Sequence, residues 1–101
     1  MFNEEEAFKE LNSYCTLEWN IDRLVFNLNN AIENLEKADS AVNKYILIDD
    51  NSADNNDIRH LKDNIIDYRN YLTNICKPAA SRNKQRMIDI IEGEGITIVW
   101  S

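Results

Sequence analysis

The chain has 101 residues, 44% of them hydrophobic, and a formal net charge of −7. This length and composition favour one folded domain with a thin core, residues 1–101. The negative charge argues against direct binding of nucleic acid or of an anionic membrane, because both need lysine and arginine to displace counterions. The two cysteines are too few for a disulfide framework, and no apolar run approaches the ~20 residues that span a bilayer. We therefore expect a soluble, cytoplasmic protein.

The first half of the chain predicts one long helix, from about residue 3 to about residue 48. Apolar side chains recur there at alternating steps of four and three residues, with no Gly or Pro between them. This spacing is typical of a helix that packs along other helices, as in a coiled coil or a bundle. The seam positions are Tyr14, Leu17, Ile21, Leu24, Leu28, Ala31, Leu35, Ala38, Val42 and Tyr45.

Residues 49–57 predict a polar hinge, because all but one of them are Asp, Asn or Ser. A second helix is expected over about 56–76, and Pro78 is expected to end it. This helix repeats the same period at Ile58, Leu61, Ile65, Tyr68, Leu72 and Ile75. Two seams joined by a short polar turn predict an antiparallel helical hairpin and an all-α fold.

The remaining chain predicts a third, shorter helix over about 79–92 and a short extended tail over 93–101, with Gly93 and Gly95 at its start. The second helix is too short to cover the N-terminal half of the first. A second apolar stripe lies there, outside the seam, and includes Phe8, Trp19 and Phe26. We expect the third helix to fold back onto part of it, and a homodimer or a target protein to cover the rest.

Catalytic and metal-binding signals are weak. The only histidine, His60, stands in the first turn of the second helix, where a solvated position is the simpler interpretation. The 49–57 segment carries carboxylates and amides but lacks the Gly and the closing Glu of a calcium loop. No motif for zinc or for a phosphate-cradling loop is present. We therefore predict a protein that is not an enzyme and needs no metal or cofactor.

The segment 77–86 concentrates basic residues in an otherwise acidic chain. A helix that starts at Pro78 or Ser81 would offer free N–H groups beside these cations, an arrangement that can bind phosphate or carboxylate. The candidate residues for such an anion site are Lys77, Ser81, Arg82, Lys84 and Arg86. The favoured interpretation is that their charges pair with the Glu and Asp residues of the first helix or of a partner chain.

The same segment locally resembles the turn between helices in small phage proteins that form helical hairpins and sequester signalling nucleotides. The likeness lies in Pro78, Ser81, Arg82 and Lys84, which precede an aliphatic helix. The resemblance implies a phosphate-binding role for Arg82 and Lys84.

Taken together, these patterns predict a small acidic protein that binds another protein through an apolar helix face, with acidic flanks that favour a basic partner. The candidate contact residues are Phe8, Trp19, Phe26 and Trp100. An inhibitor, an adaptor or an immunity-type protein fits this description, with a phage or mobile element as a plausible origin. The alternative function is sequestration of a nucleotide or another anion by the basic segment 77–86.

Overall fold

The computed structural model describes the backbone of residues 1–40 and 53–100, and the side chains of 1–38 and 56–100. Within these ranges the protein is helical, with no strand. Helix α1 spans Glu4–Ser40, α2 spans Ala53–Tyr71, a π-helical turn spans Leu72–Cys76, and α3 spans Lys77–Gly93. The predicted all-α class and the hairpin of long helices with a third helical segment are confirmed.

Helix α1 starts at a side-chain cap. The backbone N–H of Glu6 donates to Oδ1 of Asn3 (3.1 Å), which satisfies one of the N–H groups that a helix start leaves open. Three glutamates follow in the first turn, where the helix dipole favours negative charge. The described part of α1 ends at Ser40, so the predicted continuation to residue 48 lies outside the described residues.

Helix α2 begins earlier than the sequence predicted. It starts at Ala53, three residues before the predicted start at about 56, so the last five residues of the expected 49–57 hinge are helical. Acidic and amide-rich segments are compatible with the first turns of a helix, because negative charge is favourable at the N-terminal end of its dipole. The rest of the expected hinge, residues 49–52, lies outside the described residues.

Pro78 does not end the helical path, contrary to the prediction. The backbone N–H of Lys77 donates to the carbonyl oxygen of Leu72, five residues earlier, so the turn before the proline is a π turn. A proline has no N–H, and its ring clashes with the carbonyl one α-helical turn earlier. The wider turn makes room for the ring, and α3 begins directly at Lys77.

The two helical arms run antiparallel. Successive side-chain contacts show the register: Arg69 donates to Asn29, Lys77 to Asp22, and Ser81 to Glu18. Two apolar clusters lie between the arms. One contains Ala7, Leu11, Met87 and Ile91, and the other contains Ile21, Leu72 and Ala80. Each cysteine packs against a different cluster, Cys15 against the first and Cys76 against the second.

The C-terminal tail folds back onto the first cluster. The N–H of Gly95 donates to the carbonyl of Glu92 (2.9 Å), and a φ of 80° at Gly95 turns the chain away from α3. Ile96 and Ile98 then pack against the cluster together with Phe2 at the other end of the chain. The predicted tail begins one residue later than expected, because Gly93 is the last residue of α3, and residues 96–100 have no regular secondary structure.

The predicted seams are only half buried in the hairpin. Tyr14, Ile21 and Leu28 pack in the clusters between the arms, and Leu35 is partly buried. At the seam positions between these residues, the contact with the second arm is made by the next residue along the chain. Glu18, Val25 and Ile32 lie at the contact, whereas Leu17 and Leu24 are exposed. In α2, Ile58, Leu61 and Tyr68 are exposed although Leu72, on the same line, is buried. The apolar seam is therefore wider than one helix–helix contact.

Candidate functional site

Two of the four predicted contact residues form one exposed aromatic surface on α1. Trp19 and Phe26 lie two helical turns apart on the same flank, with 57% and 64% of their surface exposed. With Asp22, Arg23 and Asn27 they line an open groove of about 320 Å³. We call these five residues the Trp19–Phe26 surface.

The Trp19–Phe26 surface is held in place by two contacts. The guanidinium carbon of Arg23 lies 4.6 Å from the centroid of the Trp19 ring, at the i, i+4 spacing of a helix. The carboxylate of Asp22 binds Nζ of Lys77, with N–O distances of 2.5 and 2.6 Å to its two oxygens. The indole is therefore oriented by a neighbour on its own helix, and the groove is fixed relative to the second arm by an ion pair.

The other two predicted contact residues lie elsewhere. Phe8 is partly buried and packs against the cluster of Leu11 and Ile91, so most of it belongs to the hydrophobic core. Trp100 is exposed at the end of the tail, next to the segment that packs beside Phe2. The structure brings Trp19 and Phe26 together and places Trp100 at the end of the molecule that holds both termini.

The basic segment contacts the carboxylates of α1. Nζ of Lys84 lies 2.6 Å from Oε1 of Glu18, and Oγ of Ser81 donates to Oε2 of the same carboxylate at 2.7 Å. The hydrogen bond from Lys84, and after it the one from Ser81, hold the pKa of Glu18 below its usual range, against the opposing effect of partial burial. The same contact raises the pKa of Lys84.

The expected free helix start for an anion is missing. Lys77 is already inside a continuous helical path, and its N–H is bonded to the carbonyl of Leu72. Arg82 is exposed, and Arg86 donates to Oδ1 of Asn83 at 3.2 Å. Three of the five predicted anion-binding side chains, those of Lys77, Ser81 and Lys84, are bonded to carboxylates. These contacts match the ion-pair interpretation of the basic segment.

Sequence reasoning missed Glu18 as the centre of this polar contact. The available signal was its place in the line Tyr14, Glu18, Ile21, Val25, which has the same four-and-three spacing as the predicted seam. A charged residue on such a line needs a charged or hydroxyl partner on the facing helix. The basic residues of 77–86 are the obvious source of one, because the rest of the chain is mainly acidic.

A second exposed surface lies along the edge of the contact between α1 and the second arm. Leu17, Asn20, Ile21, Leu24, Leu72 and Cys76 line an open groove of about 360 Å³ that contains no charged side chain. Leu72 continues the α2 line of Ile58, Leu61, Ile65 and Tyr68 at four-and-three spacing. Leu72 therefore belongs both to the groove lining and to the apolar line of α2.

Histidine and acidic residues do not gather into a reaction centre in the described part of the chain. His60 is exposed on α2. No group of three or more His, Cys, Asp or Glu side chains that could hold a metal ion is present among the described residues. None of the helices in those residues has the length and apolar character needed to cross a bilayer.

Comparison with known proteins finds no relative of this chain: no family model, no curated protein and no solved structure matches it.

Proposed function

We infer that this protein is a small, non-catalytic module that binds another protein through the Trp19–Phe26 surface. The observation that carries the proposal is a pair of large aromatic side chains, both more than half exposed, beside an arginine on one helix flank. Trp, Tyr and Arg dominate the binding energy of protein interfaces because they combine a large apolar area with polar groups that fix orientation.

The surface is also ordered before binding. Arg23 stacks on Trp19 and limits its rotamers, so the partner does not have to immobilise a freely rotating indole. Asp22 is held by Lys77 of the other helical arm. Preorganisation of this kind raises affinity by lowering the entropy lost on association.

The charge of the chain favours a basic partner. A net charge of −7 attracts positively charged proteins and speeds their encounter at low ionic strength. An inhibitor, adaptor or immunity-type protein of a phage or mobile element, acting in the cytoplasm as a homo-oligomer, fits this chemistry and is the role that we propose.

Affinity capture with matched variants tests the proposal. The wild-type chain, the double variant Trp19→Ala/Phe26→Ala and the control Ile90→Ala are immobilised and exposed to lysate of the source organism. Ile90 is also exposed but lies on α3. We expect a basic protein that the wild type and the control retain and the double variant loses, because hot-spot truncations cost at least about 2 kcal/mol each, roughly 30-fold in affinity.

The retained protein is then added stepwise to the Trp100→Phe variant of this chain, in which Trp19 is the single tryptophan. Burial of the indole on binding shifts its fluorescence emission to shorter wavelength. An unchanged emission, a partner that the double variant binds as tightly as the wild type does, or the absence of any retained protein would each overturn the proposal.

A further inference from the structure

We propose that a second copy of this chain packs on the apolar face formed by Leu17, Leu24, Ile58, Leu61, Tyr68 and Leu72, so that two hairpins form a four-helix bundle. This face lies on the flank of α1 away from the Trp19–Phe26 surface. The inference specifies the homo-oligomer named in the proposed function, and it can fail separately from partner binding, since the two surfaces use different residues.

The width of the apolar seam carries the proposal. In a four-helix bundle the seam of each helix points to the bundle axis, between two neighbouring helices. A single hairpin supplies only one of these neighbours and leaves the other half of the seam in water. This is the pattern observed: Ile21 and Leu72 are buried, whereas Leu17, Leu24 and Leu61 remain exposed on the same lines.

The face continues along both helices. In α1 it runs from Leu17 and Leu24 towards Ala31 and Ala38. In α2 it runs back from Leu72 through Tyr68 and Leu61, which are 50% and 51% exposed. In the antiparallel register, small residues of α1 stand at the level of large residues of α2. A facing hairpin can therefore insert its large side chains above the alanines, as close packing of helices requires.

Electrostatics favour a second copy of the same chain on this face. Two acidic chains repel each other unless they meet where neither carries charge. The groove of Leu17, Asn20, Ile21, Leu24, Leu72 and Cys76 has no charged side chain in its lining. The Trp19–Phe26 surface includes Asp22 and Arg23, so it suits a charged foreign protein better than a self-association contact.

The shape of the molecule also leaves room for a second hairpin. Its radius of gyration is 21.1 Å, whereas a compact domain of this length has about 13 Å. The extents are 67 × 22 × 16 Å, as expected for an elongated hairpin of two helical arms.

The test is the mass of the full chain in solution at micromolar concentration, by sedimentation equilibrium, for three variants beside the wild type. Leu61→Glu and Tyr68→Glu each place a charge at the centre of the proposed interface. Phe26→Glu places the same charge on the opposite flank of α1 and is the control. We expect twice the mass of one chain for the wild type and for Phe26→Glu, and a dissociation constant raised at least about 100-fold by either α2 variant.

Circular dichroism of the same samples separates loss of the dimer from loss of the fold. A folded monomer for Leu61→Glu or Tyr68→Glu supports the proposal, because the contact between copies is then lost while the fold of the single chain persists. A monomeric wild type overturns it. A wild-type dimer that Phe26→Glu dissociates and Tyr68→Glu does not also overturns it, since the copies would then meet through the Trp19–Phe26 surface.

Discussion

Glu18 sets the register of the hairpin at the level of single side chains. It lies on the contact line between apolar residues, and its carboxylate is satisfied by Lys84 and Ser81 together. A slip of the two arms by one residue would leave this partly buried charge against apolar neighbours, at a cost of several kcal/mol. The apolar clusters stabilise helix association, and the Glu18 contact selects one alignment among those that the clusters would permit.

A double-mutant cycle measures this contact. Glu18→Gln and Lys84→Met are each expected to lower the free energy of unfolding by about 1–2 kcal/mol, and the coupling between them to be about 1 kcal/mol. Their side chains are 14% and 31% exposed, which limits screening by water. The exposed pair of Glu5 and Lys9 serves as control, and Glu5→Gln should change stability by less than about 0.5 kcal/mol. Equal effects at the two sites, measured by urea unfolding, would contradict a register-setting role.

The same pair predicts how stability depends on pH. The pKa of Glu18 is below its ordinary value of 4.5, so its contribution is present above that pH and is lost as the pH falls through the lower folded pKa. The pKa of Lys84 is above its ordinary 10.5, so its contribution is complete below that pH and is lost as the pH rises through the folded pKa. The stability difference between wild type and Glu18→Gln should therefore be constant from about pH 5 to pH 10 and shrink below about pH 4. If the stability difference between wild type and Glu18→Gln does not shrink below about pH 4, the pKa of Glu18 is not lowered by this contact.

At the scale of helices, the π turn solves a mismatch between sequence spacing and helical geometry. Leu72, Cys76, Ala80 and Lys84 all face α1, at three successive steps of four residues. In a regular α-helix each such step rotates the position by about 40°, so the last would point about 120° away from the first. The extra residue held by the π turn reduces this drift. Packing against α1 and accommodation of Pro78 therefore favour the same distortion.

If the π turn holds one extra residue, a residue can be deleted from it without loss of the contacts on either side. Deletion of Asn74, combined with Pro78→Ala, allows a regular α-helix that keeps the contacts on both sides of the turn. We expect its stability to lie within about 1 kcal/mol of the Pro78→Ala parent. Deletion of the exposed Asp67 from α2 in the same parent rotates the residues before position 67 relative to those after it. This deletion should lower the free energy of unfolding by more than about 2 kcal/mol. If urea unfolding shows that both deletions lower the free energy of unfolding equally, then the π turn does not hold an extra residue.

The elements differed in how far their sequence determined them. Long helices and their antiparallel pairing could be predicted, because the four-and-three spacing is strong in both arms. The continuation through Pro78 could not, since it depends on packing against α1 that no local pattern contains. The choice of Val25 and Ile32 over Leu24 and Ala31 for the hairpin contact also depends on tertiary packing. Among the site residues, Trp19 and Phe26 were predictable from their spacing, whereas Glu18 required knowledge of which residues face it.

At the scale of the whole molecule, α1 presents two different exposed surfaces. One flank carries the Trp19–Phe26 surface, and the other lines the uncharged groove together with Leu72 and Cys76. A dimer through the groove would bury the half of the seam that the hairpin leaves open and would keep both Trp19–Phe26 surfaces accessible. Two copies of the aromatic surface on one particle raise the effective affinity for a partner that itself has two sites.

Self-association of this kind makes the stability of the fold depend on protein concentration. For a dimer that unfolds to two chains, a tenfold rise in concentration stabilises the folded state by about 1.4 kcal/mol per dimer. We expect the midpoint of urea unfolding, followed by circular dichroism, to rise with wild-type concentration across the micromolar range. The Tyr68→Glu chain lacks the dimer contact, so its midpoint should be lower and independent of concentration. A wild-type midpoint that does not move with concentration would mean that the single hairpin, despite its radius of gyration of 21.1 Å, is stabilised by its own two clusters alone.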